Sequence, residues 1–273
     1  MNTRVPERLA LENALRRSAE RGEFYFHYQP IFDLASRRVV SAEALLRWRH
    51  PELGSVAPAR FIPIAEDTGL ITAIGEWVIR RISTDRTAVK EMPGMHFPIA
   101  VNLSAIQFRN RSLVDLLPQL IEGGMEQGWL ELEITESVLM SESEATNGVL
   151  ELLRKQGLKL VVDDFGTGYS NLAYLKRFDI YKLKIDQSFI RNITTEPDDA
   201  VLTRGIIGLA RSLGLKVVAE GVETAAQLDF LVANGCDEVQ GFLLCPPVGF
   251  AELIGFMNQG HDASRAWLTA LNS

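Results

Sequence analysis

Apolar residues form two patterns along this chain: short continuous runs, and longer stretches in which they recur every three or four residues. In four places a helix-like stretch, a glycine and a β-branched run follow each other, at Gly128, Gly157, Gly214 and Gly235. Glycine accepts the left-handed conformation that commonly follows a helix. The run after it is typical of a strand buried on both faces. Alternating helices and strands predict an α/β protein with a mainly parallel sheet.

Eight segments are predicted as strands, at residues 24–29, 39–45, 99–103, 130–135, 158–163, 182–185, 216–219 and 238–241. Eight strands in a chain of 273 residues favour a (β/α)8 barrel. Only about nine residues, without a helical pattern, join the first two strands, whereas a parallel crossover needs roughly a dozen. We therefore predict an α/β fold of the modified (β/α)8 TIM type, with the first strand antiparallel to the others.

Helix boundaries are also marked in the sequence. Capping boxes, in which a Ser or Thr precedes a Gln or Glu by three residues, are predicted at Ser104, Ser141 and Thr224. An apolar stripe with a 3.6-residue period predicts a helix over 200–213. No linker divides the chain, so we predict one domain over residues 1–273. Its ends are predicted to pack onto the barrel, as an N-terminal segment 1–22 with a helix over 6–21 and a C-terminal segment 262–273 with a tail over 263–271.

Composition and charge narrow the range of functions. With 28 Lys and Arg against 35 Asp and Glu, the formal net charge is −7, which argues against general binding of DNA or RNA. Cys236 and Cys245 have no metal-ligand spacing and fit a reducing compartment. No apolar run approaches about 18 residues, and the first residues lack the apolar segment of a signal peptide. We therefore expect no membrane segment and a cytoplasmic location, as a whole protein or as the output domain of a larger one.

Polar side chains stand at or near the ends of seven predicted strands, directly after apolar residues. They are Glu43, Asn102, Glu133, Asp163 with Asp164, Lys184, Glu220 and Gln240. In a parallel barrel the strand ends meet at one mouth, where active sites lie. Carboxylates gathered there repel each other and need a cation, and oxygen ligands suit Mg²⁺ or Mn²⁺. The adjacent Asp163 and Asp164 favour two ions, which could activate water and stabilise the leaving oxygen in a displacement at phosphorus.

Two further features allow alternative interpretations. Lys184 could be a Schiff-base lysine, a structural ion-pair partner or a cation facing the nucleophile and the transition-state charge. Surrounding carboxylates would keep it protonated, which favours the last role.

Gly166 and Gly168 lie in the loop after the aspartates, but Asn171 stands where a dinucleotide-binding Gly-x-Gly-x-x-Gly loop needs its third glycine. A flexible loop over the metal site, reordered by a ligand or partner, is the better interpretation.

Nine motifs follow each other in order between Phe26 and Phe242. They are HYQPI (27–31), EALLRW (43–48), FIPIAE (61–66), VNLS (101–104), ELEITES (131–137), DDFGTGYSNL (163–172), KLKID (182–186), AEGVE (219–223) and QGF (240–242). This series resembles that of the EAL-domain phosphodiesterases, which hydrolyse cyclic di-GMP to the linear dinucleotide pGpG with Mg²⁺ or Mn²⁺. The resemblance covers nearly the entire chain and implies a barrel with an antiparallel first strand.

The resemblance also implies roles for individual residues. One metal ion would be held by Glu43, Asn102, Glu133 and Asp163, and the second by Asp163, Asp164 and Glu220. The implied catalytic group is Glu220, Lys184 and Asp164, in which Lys184 contacts the attacking water and Glu220 is a ligand, a general base or both. The implied substrate contacts are Gln29, Leu46, Arg47 and Gln240, of which Arg47 suits a phosphate. Supporting positions are the loop residues Phe165, Gly166, Thr167 and Gly168, with Glu136 as their anchor, and Glu223.

Partners and an alternative function follow from the same resemblance. The loop after Asp164 and the next helix are implicated in dimerisation in this family, so we expect a homodimer. A sensory or GGDEF-type domain could precede the N-terminal helix. Ca²⁺ should bind but support little turnover, because its larger shell positions water poorly. The alternative is a non-hydrolysing EAL-type receptor that binds cyclic di-GMP, but the complete ligand set favours the enzyme.

Overall fold

The computed structural model describes residues 4–89, 97–109, 115–117, 119, 128–139, 144–168 and 172–258. Its strands are β1 (Phe24–Asp33), β2 (Arg38–His50), β3 (Gly54–Val56), β4 (Ile99–Leu103), β5 (Leu130–Thr135), β6 (Lys159–Phe165), β7 (Lys182–Ile185), β8 (Lys216–Ala219) and β9 (Glu238–Val239). Its helices span Arg4–Leu15, Pro58–Asp67, Leu70–Val89, Ala105–Arg109, Glu136–Leu139, Glu144–Lys155, Leu172–Arg177, Gln187–Arg191, Pro197–Leu213, Ala225–Ala233 and Phe250–Asn258. From β4 onward, strands and helices alternate as the sequence pattern predicts.

The strands close into a barrel. Neighbours lie in the order β1-β9-β8-β7-β6-β5-β4-β2-β3, and β1 also pairs with β2, so that eight strands form a ring and β3 extends β2 outside it. β1 is antiparallel to both of its neighbours. β2 and β4 to β9 run parallel to one another. The predicted barrel with a reversed first strand is confirmed.

The first hairpin is tighter than predicted. β1 continues to Asp33 and β2 begins at Arg38, so residues 34–37 form the whole turn. A register shift between Ile31 and Phe32 allows both side chains to be buried. Such a bulge breaks the alternation by which a strand is detected in sequence, which is why the predicted strand stops early. A turn this short permits only an antiparallel partner.

β2 also extends beyond its predicted end, to His50, and pairs there with β1 and with β3, which the sequence pattern does not predict. The outer face of this ribbon carries aromatic side chains. The ring of Trp48 lies 5.5 Å from that of Phe61, and the ring of Phe24 lies 5.6 Å from that of Trp77. These contacts hold the two helices that follow β3 against the ribbon. The ribbon therefore forms a supported wall at the end of the barrel where the parallel strands finish.

Helix ends follow the local signals in the sequence. The four marker glycines are all left-handed, with φ of 81°, 73°, 73° and 71° in chain order. Capping boxes form at Thr224 with Gln227 and at Ser104 with Gln107, whereas Ser141 lies outside the described residues. The helix predicted over 200–213 starts earlier, at Pro197, because proline is well suited to the first turn.

Some boundaries differ from the predicted ones. The N-terminal helix spans Arg4–Leu15 rather than 6–21 and is followed by turns. β6 continues to Phe165, and β9 ends at Val239. The predicted C-terminal segment 262–273 lies outside the described residues. None of the described helices combines the length and apolar character needed to cross a lipid bilayer.

The two faces of β5 differ in chemistry. Leu130, Leu132 and Ile134 belong to the apolar core. Glu131 and Glu133 alternate with them and are each 1% exposed, although they are acidic. Because successive side chains of a strand point to opposite faces, the core between barrel and helices is apolar, and the barrel interior holds charged groups.

Candidate active site

The Lys184 ammonium lies among four carboxylates contributed by different strands. Its Nζ is 2.5 Å from Glu220 Oε1, 2.8 Å from Glu133 Oε2, 3.3 Å from Glu43 Oε2 and 3.5 Å from Asp163 Oδ1. The side chain of Lys184 is 1% exposed. The strand ends therefore converge as predicted, and we call these five side chains, together with Gln240, the outer layer.

Amide groups complete the surroundings of Glu43. Asn102 Nδ2 donates to Glu43 Oε1 at 2.6 Å, and Gln240 Nε2 donates to Glu43 Oε2 at 2.8 Å. Gln240 Nε2 also donates to Gln29 Oε1 at 2.9 Å, and Gln29 Nε2 donates to the Cys245 carbonyl at 3.2 Å. One hydrogen-bonded chain thus links β1, β2, β4 and the segment after β9 at the barrel mouth.

The charges in the outer layer do not balance. Burial, with the negative charge of Glu43, raises the pKa of Glu133 well above its ordinary value. Burial also raises the pKa of Glu220 to about 8, although Lys184 opposes the shift. Burial disfavours the Lys184 ammonium, but Asp163, Glu133 and the other carboxylates outweigh it and raise the lysine pKa. Lys184 is therefore protonated, and the carboxylates around it exceed the charge that it can neutralise.

Asp163 and Asp164 differ in backbone conformation. Asp164 has φ of 54°, in the left-handed region that favours glycine, and its N–H donates to Asp163 Oδ1 at 3.0 Å. Burial, Asp163 and Asp186 together raise the pKa of Asp164 to about 6. This turn brings a second carboxylate next to the outer layer directly after β6. Asp186, which the strand-end argument does not select, follows the end of β7 and also caps the next helix.

The loop after β6 is tied to the end of β5. Glu136 Oε2 accepts a hydrogen bond from the Gly166 N–H at 3.1 Å, and Thr167 Oγ1 donates to the Asp164 carbonyl at 2.8 Å. Gly166 has φ of 99°, and a Cβ there would lie 3.0 Å from Ile206 Cδ1, so other residues would be strained. Phe165 is buried in the core, and Gly168 lies beside the Glu136 carboxyl group. The predicted anchor is thus in contact with the loop; residues 169–171 lie outside the described part.

A cavity of about 300 Å³ opens beside these groups. Leu46, Arg47, Asn102 and Thr135 lie on its side toward the strand ends, and mainly apolar side chains such as Ile62 line the rest. Arg47 is half-buried, and its Nη1 donates to the Leu46 carbonyl at 3.0 Å. A pocket of this size, mostly apolar with a few polar groups, is suited to one ring system of a ligand.

Glu223 is placed differently from the other predicted site residues. Its side chain is exposed, and its backbone N–H donates to Gln227 Oε1 at 2.8 Å. What the structure records for Glu223 is therefore a contact at the start of a helix.

A second group of polar and charged residues lies further inside the barrel, and the strand-end argument does not select it. Ser41, Glu131, Lys182 and Glu238 are all buried, and we call them the inner layer. The signal that could have found them is the alternation within motifs such as ELEI and KLKI, in which charged residues recur two positions apart.

The donor chemistry of the outer layer fits a divalent metal ion. Among the described residues, no group of three His, Cys, Asp or Glu side chains is already arranged as a metal site; the carboxylates converge on Lys184 instead. Four carboxylates face one ammonium, which leaves a surplus of negative charge, and Asn102 and Asp164 add further oxygen donors. Oxygen-only donor sets of this kind suit Mg²⁺ and Mn²⁺.

Comparisons with known proteins agree with this geometry. The family model described as EAL domain matches residues 12–247. The bifunctional diguanylate cyclase/cyclic di-GMP phosphodiesterase MucR of Pseudomonas aeruginosa is 43% identical over 93% of this chain and 37% of its own length. The cyclic di-GMP phosphodiesterase NbdA of the same organism is 43% identical over 98% of this chain and 34% of its own length. The chain therefore spans about a third of the length of these curated relatives.

A solved structure also resembles this chain, in both fold and sequence. A structure described as the PaMucR phosphodiesterase in complex with c-di-GMP has a TM-score of 0.84 and 43% identity, over 89% of this chain and 99% of that one. The family match over most of the chain and the similarity of the fold thus point to the same group of proteins. The chain belongs to the EAL domain family.

Proposed function

We propose that this domain hydrolyses cyclic di-GMP to linear pGpG with two divalent ions, Mg²⁺ or Mn²⁺. The observation that carries the proposal is the outer layer, in which strand-end oxygen donors surround a buried, protonated Lys184 beside a cavity. The family membership and the names of the 43% identical relatives support the same activity. A receptor without activity would not need the full set of donors.

The metal ions would be held by the oxygen donors at the barrel mouth. We assign one ion to Glu43, Asn102, Glu133 and Asp163, and the second to Asp163, Asp164 and Glu220. When bound, the ions would supply an activated water and charge stabilisation at phosphorus. The surplus of carboxylates over ammonium groups in the outer layer supports this assignment.

The protein groups would supply orientation and fixed charge. Lys184 Nζ donates to carboxylates from several strands, so its positive charge is held near the point where negative charge develops in the reaction. Glu220 approaches Nζ most closely, at 2.5 Å, and we assign it the role of proton acceptor for the attacking water. Both groups are fixed before substrate arrives, which limits reorganisation during the reaction.

Substrate would bind across the mouth and into the cavity. Arg47 and Leu46 line the cavity, while Gln29 and Gln240 are hydrogen-bonded to each other beside Glu43. We assign Arg47 to a substrate phosphate, since guanidinium binds phosphate in a bidentate manner, and the apolar side of the cavity to a guanine base. The homodimer, a sensory or GGDEF-type domain in a longer protein, and a cytoplasmic location stay predictions.

The decisive experiment separates hydrolysis from binding alone. Purified protein is incubated with cyclic di-GMP and Mg²⁺ or Mn²⁺, and pGpG is followed by chromatography with a chelator-treated sample as control. We expect pGpG to form only with the metal. Tight binding of cyclic di-GMP without product in either ion would contradict the enzyme and favour the receptor.

A further inference from the structure

The inner layer is a group of buried ion pairs and hydrogen bonds within the barrel, with the partly exposed Lys216 at its edge. Lys182 Nζ lies 2.7 Å from Glu238 Oε2 and 3.2 Å from Glu131 Oε2. Lys216 Nζ lies 2.9 Å from Glu238 Oε1, and Ser41 Oγ donates to Glu131 Oε2 at 3.3 Å. The side chains of Lys182, Glu131 and Glu238 are at most 2% exposed. No step of the proposed reaction uses them.

The register connects the inner layer to the outer one. Each inner residue stands two positions before an outer residue on the same strand or its direct continuation: Ser41 before Glu43, Glu131 before Glu133, Lys182 before Lys184 and Glu238 before Gln240. Residues two apart on a strand share a face and are about 6.6 Å apart along it. The inner layer is therefore the level of the barrel interior directly beneath the outer layer.

The contacts of Lys182 join strands that the sheet itself does not pair. β6 lies between β5 and β7, and β8 lies between β7 and β9. Backbone hydrogen bonds hold each strand only to its neighbours, whereas Lys182 on β7 connects directly to Glu131 on β5 and Glu238 on β9. The inner layer thus links non-adjacent strands across the barrel interior.

Stability alone does not account for this arrangement. A buried ion pair loses hydration on folding, and well-packed neutral side chains often stabilise a protein equally well or better. The outer layer, however, gathers four carboxylates around one ammonium, an arrangement that their mutual repulsion disfavours whenever they are charged and that the surrounding structure must hold in place.

We propose that the inner layer is a positioning device, which holds Glu133, Lys184 and Gln240 at the separations that metal binding and hydrolysis require. The proposal rests on the proposed function. It predicts that neutralising the inner layer impairs the outer one, although no inner side chain touches the substrate.

The test replaces the three charged inner residues by neutral ones of similar size, in the triple variant Glu131→Gln, Lys182→Met, Glu238→Gln. We expect a folded protein whose Mn²⁺ affinity, measured by calorimetry, falls about tenfold, and whose kcat falls about 10- to 100-fold. KM for cyclic di-GMP should change less than kcat, since the inner layer does not line the cavity and reaches the substrate only through Gln240.

A matched control is Glu23→Gln. Glu23 is also a buried carboxylate, and it accepts hydrogen bonds from Trp48 Nε1 and Ser18 Oγ away from the barrel interior. This variant should lower the melting temperature but leave kcat and Mn²⁺ affinity unchanged.

Any of three results would overturn the positioning role. The first is a triple variant with wild-type kcat and Mn²⁺ affinity and only a changed melting temperature. If the triple variant does not fold, Glu131→Gln is judged by the same measurements, and wild-type values again contradict the proposal. If the wild type binds Mn²⁺ without turnover, the proposed function fails, while Mn²⁺ affinity still decides the role of the inner layer. A wild type that neither binds Mn²⁺ nor hydrolyses cyclic di-GMP contradicts both the proposed function and the positioning role.

Discussion

Lys182 and Lys184 stand two residues apart on one strand of four residues and are almost equally buried, at 2% and 1% exposure. Their surroundings differ in charge. Lys182, together with Lys216, meets two carboxylates, so the formal charges balance. Lys184 alone meets four. A buried group with balanced charges needs no further ion, whereas an unbalanced one is suited to a ligand of opposite charge. This difference distinguishes the inner layer from the candidate site within one barrel.

The largest effect on this comparison is expected from Glu43→Ala. Glu43 accepts hydrogen bonds from Asn102, Gln240 and Lys184, so its loss removes a proposed metal ligand and releases three neighbours. We expect the fold to survive and the initial rate of pGpG formation to fall by 10³-fold or more, beyond the roughly 10²–10³ typical of one lost electrostatic group. Glu12→Ala, in the exposed pair with Arg16, should change the rate by less than about twofold. Activity that persists in Glu43→Ala would show that Glu43 is misassigned.

The two lysines can also be exchanged for methionine one at a time. Lys184→Met should reduce kcat by about 10²–10³-fold, and Mg²⁺ should raise its melting temperature more than that of the wild type, because the unbalanced carboxylates gain a cation. Lys182→Met leaves two buried carboxylates without their shared cation and should lower stability by about 3–5 kcal/mol. The rise in melting temperature that Mg²⁺ causes in Lys182→Met should not exceed the rise in the wild type. Equal responses to Mg²⁺ in both variants would remove the distinction between the layers.

Replacing Mg²⁺ by Ca²⁺ should separate binding from turnover. Both ions accept carboxylate oxygens, but Ca²⁺ has a larger and looser coordination shell. We expect Ca²⁺ to raise the melting temperature while turnover falls by at least about tenfold, as followed by product chromatography. Full activity in Ca²⁺ would contradict the assigned metal chemistry.

The smallest effect is the stabilisation of the unmodified protein by Mg²⁺. At a concentration 100 times the Kd, binding to the folded state adds about 2.7 kcal/mol, or roughly 5–10 °C in Tm for a domain of this size. A scan with and without chelator at constant ionic strength measures it. Glu43→Ala should show a smaller rise, and an identical rise would place the stabilising ion elsewhere.

Sequence reasoning found the outer layer because barrel geometry brings strand ends together whatever helices lie between them. Glu43, Glu133 and Lys184 are far apart in the chain, yet each directly follows an apolar residue near the end of a predicted strand. The inner layer was missed because Lys182 and Glu238 begin their strands, where a charged residue is ordinarily exposed. The left-handed conformation of Asp164 was also missed, because aspartate adopts it more often than most residues but still only occasionally. The early end of the predicted first strand has a local cause, the bulge that buries two consecutive apolar residues.

The reversed first strand has a consequence for how the chain enters the barrel. In a regular barrel the first strand begins at the rim opposite the active site, but here Phe24 pairs with Trp48, near the end of β2 on the side of the candidate active site. The N-terminal helix therefore lies near that same rim. There Arg8 forms an ion pair with Asp67, at the end of the helix that contains Ile62. Ile62 lines the cavity. A displacement of the N-terminal helix would therefore change the surroundings of a helix that lines the pocket.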